Sequence, residues 1–424
     1  MPKAIPLRDC QVRAIDYGMA HPYSIIAADP GLGKSRMAIE IRERRGEENC
    51  LIICPAHLIA NWKNQIDMWA PKGRIVTAIQ SGKDIHDLVD SDYAIISYDL
   101  AKKAEQFFEW ADIIVIDEAH YLKSLSAKRT QFVHKNVYEN SLKSVLMLTG
   151  TPIKNRVAEF YSLLCLSAYD PNATDSKFLE KFPTEIDFAD YFSFRHEYTM
   201  EIGNRRVRIV KWAGMRNIPE LKKWLKGKYL RLSGEKELPP LSYKDVVVSD
   251  VVDHQLEAAF NAFFLDEGKD GVSPTAKAEA ALAKATLTVK YVQDLLEEVD
   301  SVVIFTDHVQ ASHCLAKAFN TVALNGEMNA KTRAAMAKKF QDGEGKVLVA
   351  TIPALKEGID LVRSHHLVLN DFPWVVGDLK QVVHRIRRIS QTKQCVVHRI
   401  IGSPQDHKIM RALDEKMAVI DRVT

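Results

Sequence analysis

Short, uninterrupted apolar runs alternate with helical patterns along the first half of the chain. Ser24-Ile25-Ile26-Ala27-Ala28 predicts a buried strand, and Lys34 to Arg45 predicts the helix that follows it. Cys50-Leu51-Ile52-Ile53-Cys54 predicts a second strand, with a helix through Leu58 to Trp69. Tyr93 to Ser97, Ile113 to Ile116 and Val145 to Leu148 repeat the theme. Runs rich in β-branched residues, with no polar alternate, belong to strands covered on both faces, and intervening helices imply parallel order. From about Pro171 to Arg231 the pattern breaks into an aromatic, basic and less periodic stretch. Glu237-Leu238-Pro239-Pro240-Leu241 is the candidate linker. A helical stretch from about His254 to Glu298 follows, and the alternation returns with Ser301 to Thr306, Lys346 to Thr351, His366 to Asn370 and Gln394 to Ile400. The expected fold class is α/β, with two parallel-sheet lobes in tandem and a helical and basic insertion near the hinge. The expected boundaries are 1–170 for the first lobe, 171–235 for its insertion and 236–242 for the linker. A helical extension over 243–300 and the second lobe over 301–424 complete the chain.

Composition changes this picture little. A chain of 424 residues, 46% hydrophobic and 27% charged, suits two cored domains and argues against disorder. The net charge of +3 announces no polyanion partner, so a nucleic-acid surface must come from local patches. The six cysteines (Cys10, Cys50, Cys54, Cys165, Cys314, Cys395) form no CxxC pair and have no histidine at zinc-finger spacing. They read as buried thiols of a reducing compartment. No signal-like stretch opens the sequence, and no run approaches the roughly 20 apolar residues of a membrane span. The expectation is a cytoplasmic protein without a membrane partner, nuclear in a host that has a nucleus.

Chemistry enters at three places. Ala28-Asp29-Pro30-Gly31-Leu32-Gly33-Lys34-Ser35 lies between a predicted strand and a predicted helix, as a phosphate-binding loop requires. Glycines let backbone N–H groups close on phosphates at the positive end of a helix dipole. Lys34 would reach the β and γ phosphates and Ser35 would hold Mg2+; Ala28 stands where the strict pattern has glycine. Next, the run Ile113 to Ile116 ends in Asp117-Glu118-Ala119-His120, where Asp117 is suited to orient Mg2+ and Glu118 to polarise the attacking water. Far downstream, Arg385 and Arg388 are spaced i, i+3, expected on one helix face, from which two guanidinium groups could meet a γ-phosphate. A chance turn, a solvated acidic turn and a solvated or DNA-facing basic face compete as readings of the three taken singly.

Taken in order, these elements resemble the superfamily-two helicase core, and its Swi/Snf branch in particular. Leu7-Arg8-Asp9-Cys10-Gln11 looks like the family's adenine-reading segment, with Gln11 as the base contact. Asp29 to Ser35 resembles its Gly-Leu-Gly-Lys loop, which adds Gly31, Leu32 and Gly33 to the nucleotide contacts. Cys54-Pro55-Ala56 followed by Trp62 is similar to its first DNA-contacting segment. Asp117 to Ser124 matches its DEAH box, and Leu148 to Asn155 its coupling motif. The resemblance thus assigns coupling to His120, Thr149, Gly150, Thr151 and Gln381. Tyr229-Leu230-Arg231 with Leu238-Pro239-Pro240 looks like the inter-lobe brace. Val303 to Thr306, then Leu324-Asn325-Gly326 with Arg333 and Phe340, then Thr351, Gly358 and Asp360, and finally Gln381 to Gln391 resemble the second-lobe motifs. Gly358 and Asp360 join the nucleotide set. The sequence departs in lacking the glycine-rich run before Gly358, in Arg387 where the family has His and in Ser390 where it has Gly.

The resemblance implies two RecA-like lobes, ATP with Mg2+, and DNA gripped through phosphates without reading sequence. It marks Pro55, Ser97, Tyr98, Lys123, Thr151, Thr306, Asn325, Gly326, Arg333 and Thr351 as DNA contacts, with Thr149 beside them. The basic stretch Arg205-Arg206-Val207-Arg208, with Lys211, Lys222, Lys223, Lys226 and Lys228, is either a further DNA patch or a solvated helix face. The expected activity is ATP-dependent translocation on duplex or branched DNA, remodelling forks or junctions. Other replication or recombination proteins are candidate partners. The narrower expectation, a compact phage or bacterial branch-migrating member, rests on chain length and on the lack of further modules. An RNA helicase, an ATP-gated clamp and a motor subunit of a nuclease complex are the rivals.

Overall fold

The computed structural model describes residues 5–423 apart from 86–89, 141, 154–156, 169–183, 203–204, 214, 235–236, 249–273, 355–358, 374 and 403. The chain divides into two compact units, residues 1–234 with 416–424, and residues 235–415.

The first unit is built on a seven-stranded sheet in which every pairing is parallel. Its strands are β1 (Tyr23–Ala28), β2 (Cys50–Cys54), β3 (Val76–Ile79), β4 (Tyr93–Ser97), β5 (Ile113–Asp117), β6 (Ser144–Thr149) and β9 (Tyr229–Leu232), in the order β3-β4-β2-β5-β6-β1-β9. The five inner strands are buried at every position, which is why their sequences carry no polar alternate. The helices α1 (Asp9–Ala20), α2 (Lys34–Arg45) and α3 (Ile59–Trp69) cover them. On α3 the buried residues Ile59, Trp62 and Ile66 recur at helical spacing.

Between β6 and β9 the insertion holds a helix Glu185–Phe192, an antiparallel pair β7 (Phe194–Ile202) and β8 (Arg205–Ala213), and a helix Ile218–Leu225. A helical face for the basic stretch is therefore found only over Ile218–Leu225. Residues 205–213 run as a strand, and the hairpin partner fixes their register, with Phe194 opposite Ala213 and Ile202 opposite Arg205.

The second unit carries a six-stranded, all-parallel sheet in the order β10-β15-β14-β11-β13-β12. Its strands are β10 (Leu241–Val247), β11 (Val302–Thr306), β12 (Ala323–Leu324), β13 (Val347–Thr351), β14 (His366–Leu369) and β15 (Cys395–Ile401). Leu241 and Ser242 already belong to β10, so only Glu237 to Pro240 of the proline-rich segment remain as connection among the described residues. Of the long helical stretch, the helix Pro274–Glu298 is described. It is anchored by Lys284, 2% exposed, whose ammonium donates to Asp406 Oδ1 (2.9 Å) and to the Ile400 carbonyl (3.1 Å). No described helix is long and apolar enough to cross a membrane.

Candidate active site

The loop leaving β1 enters α2 through Gly31 (φ 92°) and Gly33 (φ 83°), both left-handed. Gly33 is required twice over. An L side chain resists that φ, and a Cβ there would lie 2.5 Å from Gln11 Nε2. Gln11 donates from Nε2 to the Leu32 carbonyl (3.1 Å) and accepts from the Arg8 N–H (3.1 Å). The segment expected to read adenine is thus pinned to the phosphate loop. Lys34 and Ser35 open the first turn of α2, which carries no acidic residue in that turn. Lys34 Nζ donates to the Ala28 carbonyl at 3.2 Å.

Asp29 is held from the other edge of the sheet. Arg231 on β9 donates from Nη2 to Asp29 Oδ1 (2.5 Å), and the Gly234 N–H donates to Oδ2 (2.9 Å). Arg231 Nη1 also donates to the Ala27 carbonyl at 3.2 Å. The segment that resembles an inter-lobe brace therefore supplies an edge strand and an ionic tie to the loop.

β5 presents Asp117 at its carboxyl end. The Asp117 carboxylate accepts from Trp62 Nε1 (2.8 Å) and from the Glu118 N–H (2.9 Å), and its carbonyl accepts from the Tyr98 hydroxyl (2.6 Å). Burial above all, and then the charge of Glu118, raises the Asp117 carboxyl above the ordinary range, with Lys34 opposing. Glu118 sits at φ 50°, a left-handed conformation unusual for a residue with a side chain. His120 Nδ1 lies 3.2 Å from Glu118 Oε2 and 3.4 Å from Thr149 Oγ1, which in turn accepts from the Thr151 N–H (3.1 Å). Gly150 lets this turn approach the phosphate loop, since a Cβ there would meet Pro30 Cγ at 3.0 Å. The acidic box, the Thr-Gly-Thr turn and the phosphate loop thus form one contact chain along the carboxyl edge of β5, β6 and β1.

Nucleotide and Mg2+ fit this donor set. A glycine-bounded helix start is a backbone arrangement that can turn N–H groups toward phosphate. Two adjacent carboxylates whose charges disfavour each other are the arrangement a divalent cation relieves. No described cluster of three or more His, Cys, Asp or Glu could hold a metal alone. Mg2+ is held by one or two carboxylates together with phosphate oxygens and water, and Asp117 at the end of β5 would be such a carboxylate.

The remaining predicted contacts of the first unit divide. Pro55 follows β2 and is buried, and Ser97 caps the short helix Tyr98–Ala101 through the Leu100 N–H (3.3 Å). Tyr98 is buried and stacks on Tyr121 at 5.4 Å. Lys123 is paired with Glu159 at 3.0 Å.

In the second unit Thr306 and Thr351 end adjacent strands in register. Thr306 Oγ1 donates to Asp371 Oδ1. Arg333 donates to the Asn325 carbonyl at 3.2 Å, with Gly326 in the same loop. Arg388 Nε lies 2.9 Å from Asp360 Oδ1; Gly358 lies outside the described residues. Gln381 and Arg385 are on the helix Val376–Ile386, Arg385 buried and Gln381 half-buried. Arg388 is not on that helix. The chain leaves helical geometry at Arg387 (ψ 83°), so the expected single face for Arg385 and Arg388 does not form. Arg387, the residue standing in place of His, donates from Nε to the Pro239 carbonyl at 2.7 Å.

Residues 17–231 match the SNF2-related domain and residues 287–390 the helicase conserved C-terminal domain. The first match alone spans half of the chain, and the chain belongs to the SNF2-related family; ATP use goes with that membership. Among its relatives is the mouse DNA annealing helicase and endonuclease ZRANB3, 24% identical, with 93% of this chain aligned to 38% of that protein. DNA repair and recombination protein RAD54 of Saccharomyces cerevisiae is 22% identical, with 93% of this chain aligned to 52% of it. The chain thus spans about two fifths to one half of these relatives' length. A solved structure, the Sulfolobus solfataricus SWI2/SNF2 ATPase core in complex with dsDNA, aligns with a TM-score of 0.45 at 22% identity, covering 98% of this chain and 92% of that one.

Proposed function

We propose that this chain is a DNA-dependent ATPase that translocates on duplex or branched DNA and remodels forks or junctions. The observation that carries the reading is the contact chain from Glu118 through His120 to Thr149 and Thr151, with Gly150 against Pro30. It joins the group that would activate water to the turn that resembles a coupling motif. Lys34 and the loop N–H groups bind the phosphates, Ser35 and Asp117 hold Mg2+, and Glu118 orients the attacking water. Mg2+ supplies charge neutralisation on the phosphate oxygens. Arg385 and Arg388 are assigned to phosphate charge, and Gln11 to the base.

DNA is met through Thr151, Thr306, Thr351, Asn325, Gly326 and Arg333, with Pro55, Ser97, Tyr98 and Lys123 in the supporting loops. Such contacts grip phosphates, so binding is insensitive to base sequence and weakens steeply with salt. The names of the annealing and recombination relatives favour branched substrates for this chain too, and replication or recombination proteins as partners. The test is the ATPase rate without nucleic acid and with duplex, single strand, fork, four-way junction and RNA, beside Glu118→Gln. Stimulation by duplex or branched DNA, lost in the variant, is the expected result. Preferential stimulation by RNA, or none by any nucleic acid, overturns it.

A further inference from the structure

The phosphate loop and the acidic box account for the chemistry, but not for how Asp117 is kept in one orientation while buried beside another carboxylate. Two ring donors from outside the box do this. Trp62 is fully buried on α3 and gives its indole N–H to Asp117 Oδ2 at 2.8 Å. Tyr98, 3% exposed, gives its hydroxyl to the Asp117 carbonyl at 2.6 Å. Carboxylate and main chain are therefore fixed separately, by two elements that follow different strands. A buried indole N–H needs an acceptor, and a metal-binding carboxylate needs an orienting donor; each satisfies the other.

The outer surfaces of these elements are solvent-facing. On α3 the neighbours of Trp62, Asn61 and Lys63, are exposed. They flank the indole on opposite sides of the helix, so a ligand resting on either side meets the element that carries the indole bound to Asp117. On the Tyr98 side the path runs on, because the ring stacks on Tyr121, whose own ring lies 5.1 Å from His120. We propose that Trp62 and Tyr98 are positioning residues for Asp117, and that α3 and the Tyr98 turn form the route by which bound duplex DNA promotes hydrolysis. The route rests on the reading of this site as a DNA-dependent ATPase; the positioning itself does not.

Trp62→Phe and Tyr98→Phe each keep the ring and remove the donor. Trp69→Phe is the control on the same helix, since the Trp69 indole bonds Gln65 at 3.0 Å instead. Three quantities are measured: the melting temperature, the Mg2+ concentration for half-maximal binding of a fluorescent ATP analogue without turnover, and the ratio of ATPase rates with and without duplex. In Trp62→Phe the Mg2+ requirement rises, and the stimulation ratio falls, by about tenfold, the size of effect typical of lost outer-sphere partners. Tyr98→Phe moves both the same way by less, and Trp69→Phe matches the parent. Folded Trp62→Phe and Tyr98→Phe proteins whose Mg2+ requirement and ratio both match the parent would overturn the proposal. If Trp62→Phe does not fold, Tyr98→Phe decides alone. A parent that no DNA stimulates counts against the proposed function, while the Mg2+ titration still decides the positioning.

Discussion

The two sheets repeat one plan, yet the loop that follows the first strand of each alternation differs in what it offers. After β1 the chain enters its helix through Gly31 and Gly33, both at positive φ, with no acidic residue in the helix's first turn. After β11 it enters the helix Val309–Ala318 through Asp307 and His308, without glycine. The corresponding place is filled by the chain's own carboxylate: Asp371 accepts from Thr306 Oγ1, from the Asp307 N–H (2.8 Å) and from Asn370 Nδ2 (2.9 Å). At this place the first unit has a glycine-bounded turn, and the second has a carboxylate of its own. The same backbone plan thus carries two different loops, so function has to be argued from the loops and not from the fold.

The strongest way to probe that division is to remove the proposed base. Glu118→Gln should lower DNA-stimulated turnover by about 10²–10⁴-fold, read as phosphate release, while Mg2+-dependent nucleotide binding persists. A variant with near-parental turnover would move the chemistry away from the β5 edge.

Next in size is the second unit's buried anchor. Lys284→Ala leaves Asp406 buried without its cation and should cost about 3–5 kcal/mol in denaturant unfolding, with the first unit's nucleotide binding retained below that transition. An unchanged midpoint would show that the pair contributes no net stability.

Acid should act on the second unit as well. Burial lowers His366 to about 4 and His398 to about 3, and the two rings share a hydrogen bond of 2.9 Å, with Tyr291 on His398 and Lys244 and Lys393 nearby. Below about pH 6.5 the unfolded chain protonates these imidazoles while the folded one does not. Stability is therefore lost as pH falls from about 6.5 toward the folded values. Unfolding midpoints at pH 7 and pH 5 should differ less in a His366→Asn, His398→Asn protein than in the parent.

The mildest test compares two glycines. Gly33→Ala meets both a positive φ and Gln11, and should cost about 1–3 kcal/mol along with nucleotide affinity. At Gly326 a Cβ would meet nothing within 4 Å, and its φ is not positive. It should accept alanine within about 0.5 kcal/mol in thermal unfolding. Equal effects would erase the contrast between the loops.

How much of this was legible in the sequence follows from burial. Inner strands such as Cys50–Cys54 and Tyr93–Ser97 lie where their apolar runs predict, because both faces are covered. The strands that periodicity missed are the hairpin pair β7 and β8 and the sheet edges β3, β9, β10 and β12. β7 and β8 are broken up by charged residues, β3, β9 and β10 are partly exposed, and β12 is two residues long, so none writes a continuous apolar run. Within the site, residues close in sequence were readable as loop and box. The partners of Asp117 and Asp29 were not, because Trp62 is 55 positions from one and Arg231 is 202 from the other. One signal was available: Ile59, Trp62 and Ile66 share the apolar face of α3, which turns Trp62 inward and demands an acceptor for its indole. The helix end at Arg387 had no such signal.

The tie between Asp29 and residues 231–234 also sets an order of events during synthesis. The phosphate loop leaves the ribosome well ahead of its partners, since Asp29 finds Arg231 and the Gly234 N–H only after some two hundred further residues have followed. Until β9 has emerged and joined the sheet edge beside β1, a nascent first unit has its inner strands but not its finished loop. The loop's last tie is thereby deferred until the chain has been made to the very point where the second unit begins.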